Sequence, residues 1–406
     1  MLKILFWLGF GFLLSLSTIA TANDKVLRIY HDSDYSAHSE SAESMRMGFL
    51  TALDEVNNEV NGYRFELVKK NHHGNVVRSK RTMQQYLKDP QALFILGGLH
   101  SPPYIKFRQY INENEILLMV PWAAGGPITR YADGTNWVFR LSVDDTKAGL
   151  RISEFAVRAK SCKLPHLLLE DTGWGKSNFA SMTGYFKSNK SVTPTVTWYN
   201  WNTRPSEAKI ILRDIANSGS DCLLFVGNAV EGAVFMNAIS ELDSFNLPVL
   251  SHWGITGGDF AEQLGPEVLS KLDLTFVQSC FSFVTSPKTG FSQAAFKRAQ
   301  RLFPDVLGTP SPLQAPTGFI HAYDLGRLLI NALQSIELTD DMASNRRRLR
   351  DKLEQLDKPI QGLVKTYQQP FKAYSPDHPD AHEALGLSDH CMATFTPGGV
   401  IQLVDQ

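Results

Sequence analysis

Residues 26–57 read VLRIYHDSDYSAHSESAESMRMGFLTALDEVN, and this stretch decides the fold. It begins with a short apolar run, Val26–Tyr30, whose length and composition predict a buried β-strand. The segment Ser39–Asn57 follows as an amphipathic helix with a single apolar face. That face carries Met45, Phe49, Ala52, Leu53 and Val56. A strand followed by a helix that covers it is the repeating unit of a parallel α/β sheet.

The same unit recurs along the chain. Apolar runs that predict strands lie at Tyr63–Val68, Ala92–Leu96, Ile116–Val120, Leu167–Leu169, Leu223–Val226 and Val249–Leu250. Amphipathic segments that predict helices lie among them, including Val77–Leu87, Tyr104–Asn112 and Ala229–Leu242. The alternation forms two runs, each too short for a large barrel, so the predicted fold class is α/β with two doubly wound parallel-sheet lobes. Beyond residue 270 two further helices are predicted, Gln314–Leu333 and Asp340–Leu356, before a tail of strands and loops.

The composition excludes several classes of protein. The chain has 406 residues, of which 43% are hydrophobic and 20% charged, as in globular proteins of two or three domains. Its 40 Lys and Arg nearly balance 41 Asp and Glu, which gives a formal net charge of −1. Proteins that bind nucleic acid or anionic membranes mainly by electrostatics have a basic excess, so neither partner is expected.

The first residues show the three parts of a secretory signal peptide. Lys3 supplies the positive charge, Ile4–Leu16 the apolar core and Ala20–Ala22 the small-residue cleavage site. We therefore expect residues 1–22 to be a signal peptide that is removed on export. A single anchoring helix is the alternative, and it is disfavoured because spanning a bilayer takes about 20 apolar residues.

Export would place the four cysteines in an oxidising compartment. Cys162 and Cys222 each stand just before a predicted strand of the second run. The first and third strands of a doubly wound lobe are neighbours, so these two cysteines would lie at the same sheet edge, within bridging reach. The resulting hypothesis is a disulfide between residues 162 and 222, which leaves Cys280 and Cys391 as the second pair. Other pairings stay open at this point.

Two sequence motifs of catalytic or nucleotide-binding sites were considered, and neither is complete in this chain. Gly175-Lys176-Ser177 resembles the end of a phosphate-binding loop, but Glu170 stands where that loop needs its first glycine, and a carboxylate there repels phosphate. The sequence contains no Gly-x-Ser-x-Gly motif of a hydrolase. We therefore expect no enzymatic activity and no cofactor.

A histidine-rich segment near the end of the chain raises the question of a metal site. It contains His378, Asp380, His382, Glu383 and His390. Prolines at 376 and 379 disfavour the regular helix that an i, i+4 histidine pair needs, so the segment is expected to be a surface loop. No metal site is predicted anywhere in the chain.

Several short segments, taken in order, resemble the type I periplasmic solute-binding proteins, in particular the leucine-binding-like branch that carries branched-chain amino acids for ABC transporters. The segments are Ser44–Asn57, Gly97–Ser101, Ala123–Pro127 with Thr129, Glu170–Gly175 and Ala322–Asp324. The resemblance covers nearly the whole mature chain. It rests on the order and spacing of the segments, since each one is short.

The resemblance implies an architecture and a cellular place. Two lobes joined by three hinge strands would close on a ligand, with residues 23–142 and 280–358 in the first lobe and residues 143–279 and 359–406 in the second. Such proteins lie in the periplasm, act as monomers and deliver a small solute to an inner-membrane ABC permease.

The resemblance also implies ligand-binding residues in the first lobe. In amino-acid carriers of this family, two loops hold the ligand carboxylate through backbone N–H groups and hydroxyls. The corresponding residues here are His100 and Ser101 in one loop and Ala123, Ala124 and Gly125 in the other, with Tyr35 near the first loop. Position 125 usually carries Thr in the family, so one hydroxyl donor is missing.

In the second lobe, the aromatic residue that packs on the ligand corresponds to Trp174, and the next site residue to Asn228 or Ala229. The acidic residue that would hold a ligand ammonium corresponds to Trp253, which puts a free α-amino acid in doubt. Together with Trp122, these rings suit an aromatic or cationic ligand held by stacking or cation–π attraction, although an amino-acid-like ligand stays open. The alternative is that some of the rings fill the core between loop and sheet.

The function that the resemblance implies is capture of a small organic solute for an ABC importer. The alternative is a sensor whose liganded form docks on a membrane kinase, cyclase or chemoreceptor, because a docking surface leaves no motif in the sequence. A secreted α/β enzyme is a third reading, disfavoured because no nucleophile–base or metal constellation is predicted on the cleft loops.

Overall fold

The structure is a computed structural model that describes residues 25–131, 134–189, 193–308 and 313–405. Within these residues, strands alternate with helices along the chain and form two large, mainly parallel sheets. This arrangement confirms the predicted α/β class and its two lobes. The predicted signal peptide, residues 1–22, lies outside the described residues.

The first sheet forms from the early part of the chain. Its strands are β1 (Val26–Ser33), β2 (Glu59–Val60), β3 (Tyr63–Asn71), β4 (Ala92–Gly97), β5 (Leu118–Val120) and β6 (Val138–Arg140). They lie in the order β2-β3-β1-β4-β5-β6. All neighbours are parallel except β2, which runs antiparallel to β3.

The second sheet follows the same plan. It begins with β7 (Pro165–Glu170), β8 (Thr195–Tyr199), β9 (Cys222–Val226), β10 (Val249–Ser251) and β11 (Leu274–Ser279). A separate antiparallel hairpin, β12 (Ile360–Gln361) and β13 (Thr366–Tyr367), precedes the final strands β14 (His390–Phe395) and β15 (Ile401–Asp405). The order is β15-β14-β11-β10-β9-β7-β8, with β14 and β15 antiparallel and the other strands parallel.

The helices that were predicted from the sequence fall close to their expected positions, and the structure adds others. They are α1 (Ser39–Asp54), α2 (Val76–Lys88), α3 (Pro102–Lys106), α4 (Arg108–Glu113), α5 (Asp145–Arg158), α6 (Gly173–Ser188), α7 (Pro205–Asn217), α8 (Ala229–Ser240), α9 (Phe260–Lys271), α10 (Gly290–Leu302), α11 (Pro304–Leu307), α12 (Pro316–Gln334) and α13 (Met342–Leu353). The predicted helix at 104–112 is broken at Phe107, whose backbone leaves the helical region (φ −106°, ψ 16°). Throughout the described ranges, no helix combines the length and apolarity needed to cross a bilayer.

Helix α12 returns the chain to the first sheet by packing closely on α1. A β-carbon at Gly48 would lie 2.1 Å from the carbonyl oxygen of Phe319, so only glycine permits this approach. The Ser44 hydroxyl on α1 donates to the Ala315 carbonyl (2.7 Å) and accepts from the Phe319 N–H (3.1 Å). These contacts join two segments that lie more than 250 residues apart in the sequence.

The chain passes between the two sheets three times. We call the first sheet with its packed helices the first lobe, and the second sheet with its helices the second lobe. The first passage follows β6, the second follows β11 and the third precedes β14. Hairpin β12–β13 and residues up to about 385 contact the first lobe, where Phe371 and His382 both pack on Phe139 (ring centroids 5.0 and 4.0 Å). We therefore propose residues 386–389 as the third crossover, in place of the predicted boundary at 358.

A buried network of charges surrounds the first passage. Nη2 of Arg140, at the end of β6, lies 2.7 Å from Glu383 Oε1 and 3.0 Å from Asp144 Oδ1. Lys147 Nζ lies 2.6 Å from Glu383 Oε2, and Arg130 Nη2 lies 3.2 Å from Glu383 Oε1. Burial alone would raise the pKa of Glu383, but the three cations outweigh burial and hold the pKa well below its usual range. The network links the end of the first sheet to the start of α5 in the second lobe.

Both predicted disulfides are confirmed. Cys162 pairs with Cys222 across β7 and β9, with Cα atoms 5.9 Å apart, because these strands are parallel neighbours and Pro165 registers with Cys222. Cys280 follows β11 and pairs with Cys391 on the antiparallel neighbour β14, with Cα atoms 5.0 Å apart. Each bridge joins two adjacent strands of the second sheet near the ends of those strands.

Candidate functional site

A small pocket lies between the two lobes, where the carboxyl ends of the parallel strands face each other. The first lobe lines it with Leu99, His100, Ser101, Pro102, Trp122 and Ala124. The second lobe lines it with Glu170, Trp174, Asn228 and Trp253. Seven residues proposed from the sequence therefore meet in one place: His100, Ser101, Trp122, Ala124, Trp174, Asn228 and Trp253.

Tyr35, Ala123 and Gly125 do not line this pocket. The Tyr35 hydroxyl lies 2.5 Å from Nδ1 of His31, and Lys69 lies over its ring. The Ala123 side chain is buried in the core beneath the pocket.

Gly125 uses its backbone inside the first lobe. Its N–H donates to Ser101 Oγ (3.0 Å), and its carbonyl accepts from Arg140 Nη1 (2.8 Å). A β-carbon at this position would lie 2.7 Å from Ile105 Cδ1 and 3.0 Å from Ser101 Cβ. The threonine that the family usually has here would therefore require the Ile105 and Ser101 side chains to shift, and the N–H expected to grip a ligand already has a partner.

The three tryptophans almost fill the pocket. Trp122 and Trp253 are 1% exposed and Trp174 is 4% exposed, and the rings of Trp122 and Trp253 lie 6.0 Å apart. The space left among the lining side chains is about 10 Å³, about enough for one water. The three rings thus line the pocket and are also buried among its side chains.

A buried aspartate that sequence reasoning missed positions the wall of the second lobe. Asp145 Oδ1 accepts from Trp174 Nε1 (3.0 Å) and from Asn178 Nδ2 (2.8 Å), and His252 Nε2 lies 3.2 Å away. Asp145 is the first residue of α5, directly after the first passage between the lobes. Its only sequence signal was its place beside the helix cap Asp144. Asp145 thus ties the orientation of the Trp174 ring to the hinge.

Glu170, at the end of β7, adds an ionisable group to the pocket. Thr172 donates to its Oε1 (2.8 Å), while its Oε2 has no partner among the described residues. Burial raises the pKa of Glu170 to about 7 and the Glu231 carboxylate adds to the rise, although the nearby Trp201 side chain and the Thr172 hydroxyl partly offset it. From the sequence, Glu170 was not predicted to belong to the pocket and served only as an argument against a phosphate-binding loop.

We predict that Glu170→Gln changes how stability depends on pH. Because the pKa of Glu170 is raised to about 7, the stabilisation by its proton is complete below the unfolded value of 4.5 and is lost as the pH rises through 7. The wild type should lose about 2–3 kcal/mol of unfolding free energy between pH 5 and pH 8 from this group, and Glu170→Gln should not. Urea unfolding at both pH values measures the difference. The exposed Glu267→Gln is the control, and equal pH slopes in wild type and Glu170→Gln would refute the assignment.

The histidine-rich segment near the end of the chain does not form a metal site within the described residues. His378 is exposed, as expected of a surface loop, but that expectation is wrong for His382, which is buried against Phe139. The His382 ring nitrogens lie 2.8 Å from the Val138 carbonyl and 2.9 Å from Glu354 Oε1. Glu383 belongs to the buried charge network.

Comparison with known proteins agrees with this geometry. The family model described as periplasmic binding protein matches residues 31–385. No curated protein matches the chain. The chain shares its fold with a type 1 periplasmic binding protein from Bordetella pertussis Tohama I (17% identity, TM-score 0.75, 94% of this chain and 100% of that one).

Two further solved structures with the same fold contain ligands. One is the branched-chain amino acid transporter substrate-binding protein LivJ from Streptococcus pneumoniae with isoleucine (17% identity, TM-score 0.73, covering 94% and 100%). Another is an ABC transporter solute-binding protein from Rhodopseudomonas palustris HaA2 with p-hydroxybenzoic acid (14% identity, TM-score 0.73, covering 94% and 96%).

Two lobes with a pocket between their strand ends define a type I solute-binding protein. The match over residues 31–385 shows that the chain belongs to the periplasmic binding protein family. The resemblance seen in the sequence is thereby confirmed at the level of family and fold. The family is periplasmic or extracytoplasmic, and the structural neighbours named above are solute-binding proteins.

Proposed function

We propose that this protein captures a small organic solute between its lobes in the periplasm and delivers it to an ABC importer. The observation that carries the proposal is a set of unpartnered polar atoms on the pocket wall: His100 Nδ1, Trp122 Nε1 and Glu170 Oε2. A buried polar atom without a hydrogen bond costs about 1–3 kcal/mol. A ligand that offers both donors and acceptors removes this cost.

The chemistry of the wall favours a flat ligand with one polar end. Trp122, Trp174 and Trp253 offer ring faces and edges on which a planar group stacks. Glu170 supplies a carboxyl group that is partly ionised near neutral pH, so it accepts from an ammonium or donates to a carboxylate. Of the ligands held by the structural neighbours, p-hydroxybenzoic acid suits this wall better than isoleucine, because it is aromatic.

The little space in the pocket means that the ligand enters by opening of the lobes. Three passages between the sheets supply a hinge, as in binding proteins that close on their ligands. Asp145 couples this hinge to the pocket, since it begins α5 and also holds Trp174. The closed form is the one that we expect the permease to recognise.

A thermal-shift screen tests the proposal. Aromatic carboxylates, amino acids and quaternary amines are added in turn, and a true ligand at 100 times its dissociation constant adds about 2.7 kcal/mol of stability. We expect a shift with a planar ligand that carries a polar end. A panel in which no member of these three classes raises the melting temperature would argue against solute capture.

We predict that Trp174→Ala weakens binding of that ligand at least tenfold, about 1.4 kcal/mol, because the variant loses a ring of the pocket wall. Isothermal titration calorimetry measures the affinity. Trp198→Ala is the matched control, since Trp198 lies on the same lobe but is 38% exposed and is not a lining residue. Equal affinities for Trp174→Ala and wild type would show that the ligand binds elsewhere.

A further inference from the structure

Adjacent strands of the first sheet bring histidine and aspartate side chains to one wall of the cleft. Asp34 and His38 follow β1, His100 follows β4, and His72 follows β3. Since β3, β1 and β4 are parallel neighbours, residues just beyond their carboxyl ends meet at the same sheet edge. Asp34, His38 and His100 are 2%, 7% and 4% exposed, so they meet away from solvent.

Asp34, His38 and His100 face one another without bonding. Their ligand-type atoms all lie within 4.8 Å of one another, and the imidazoles of His38 and His100 meet edge-on with centroids 4.8 Å apart. Within the described part of the chain, no hydrogen bond or ion pair joins the three side chains, and His100 Nδ1 has no partner at all. A buried nitrogen without a hydrogen bond, such as His100 Nδ1, is costly, and an ion bound among the three side chains would remove this cost.

Backbone N–H groups hold the Asp34 carboxylate in a fixed orientation. Asp34 Oδ1 accepts from the N–H groups of Ser36 (2.9 Å) and Ala37 (3.2 Å). Hydrogen bonds that fix a carboxylate in this way are typical of carboxylates that ligate metals.

His72 is a neighbour of the cluster with a different role. Its Nδ1 accepts from the Gly74 N–H (3.1 Å), so the neutral ring carries its proton on Nε2, which has no partner among the described residues. A ring in this tautomer donates a hydrogen bond and does not ligate through Nε2. His72, whose ring centroid lies 5.6 Å from that of His100, would therefore support a ligand bound at the cluster.

The second lobe covers the cluster and adds negative charge. The Trp201 ring lies 5.4 Å from the His100 ring. The carboxylate of Glu231, which is buried on α8, and that of Glu40 on α1 both act electrostatically on His38. Carboxylates around two imidazoles favour a bound cation.

We propose that Asp34, His38 and His100 form a binding site for a divalent transition-metal ion of the zinc type on the first-lobe wall of the cleft. Two imidazoles and one carboxylate are a ligand set that zinc takes at sites with an open coordination position. Metal–ligand distances of about 2.0–2.2 Å place ligand atoms about 3.3 Å apart, so side-chain rotations need to draw these atoms together by at most about 1.5 Å. The open position would accept a group from the cleft. No metal site was predicted here from the sequence, in which His100 lies more than 60 residues beyond Asp34 and His38.

Cobalt and zinc titrations test this site. The purified chain carries no polyhistidine tag, is freed of metal with EDTA and is titrated with CoCl₂, followed by its visible absorption, and then with ZnCl₂ by calorimetry. We expect one metal ion per chain and cobalt bands of four- or five-coordinate geometry. No stoichiometric binding would overturn the proposal.

Variants assign the metal to these residues. The double variant His38→Ala/His100→Ala should bind zinc at least 100-fold more weakly and lose the cobalt bands, while Asp34→Asn should bind more weakly than wild type. His378→Ala is the matched control, because it removes an exposed histidine from the segment that resembles a metal motif only in sequence. If the double variant does not fold, His100→Gln keeps the volume and polarity and must also lose the cobalt bands. Unchanged cobalt spectra in these variants, or equal loss in His378→Ala, would overturn the proposal. None of these readouts depends on the solute.

Discussion

Glu383→Ala is expected to lower the free energy of unfolding by about 3–5 kcal/mol. Glu383 is the acceptor for Arg140, Lys147 and Arg130 at the first passage between the lobes. Removing it leaves the fully buried Arg140 guanidinium with Asp144 as its remaining carboxylate. A buried cation that loses one of its carboxylate partners is much more costly than the loss of an exposed ion pair.

Urea unfolding followed by circular dichroism measures this loss. Glu267→Ala is the control, because its ion pair with Lys271 (2.8 Å) involves an 82% exposed carboxylate and should change stability by less than about 0.5 kcal/mol. A loss below about 1 kcal/mol in Glu383→Ala would show that the network does not stabilise the hinge region.

Asp324→Ala is expected to cost about 3 kcal/mol and to loosen hairpin β12–β13. The Asp324 carboxylate accepts from the N–H groups of Leu363 (2.6 Å) and Val364 (3.0 Å) and from the Tyr367 hydroxyl (2.7 Å). Alanine leaves these donors buried and unpaired. The residue was singled out in the sequence as part of a family segment, and the structure gives it this structural role.

Hydrogen exchange of residues 360–367 reports the loosening directly, beside the unfolding free energy. Tyr367→Phe is the control, since it removes only one of the three hydrogen bonds and should cost about 1 kcal/mol. Exchange rates in Asp324→Ala that equal those of the wild type would contradict this account of the hairpin.

The sequence predicted the elements well because their signals are local. The helix on Ser39–Asn57 ends at Asp54, since Asn57 and Asn58 adopt left-handed backbone angles (φ 55° and 59°) that lead the chain into β2. The position of Arg346 on α13 depends instead on tertiary packing: its guanidinium lies over the Tyr86 ring (4.1 Å), because α13 packs beside β4.

The site was only partly predictable from the sequence, because its geometry depends on contacts between elements that are distant in the chain. Loop positions at strand ends and the family resemblance suggested His100, Trp174 and Trp253 as ligand-binding residues, and all three line the pocket. The partner of Trp174, Asp145, could not be inferred, since contact between α5 and α6 depends on tertiary packing. The cluster of Asp34, His38 and His100 could not be inferred for the same reason, since it depends on β1 and β4 being neighbours in the first sheet.

We propose that both lobes hold one solute in the cleft. Calorimetric titration of the ligand from the screen into Ser101→Ala and Asn228→Ala tests it most directly, because these residues stand on opposite walls of the pocket. We predict that each variant binds at least tenfold more weakly than the wild type, about 1.4 kcal/mol. Wild-type affinity in both variants would contradict the account.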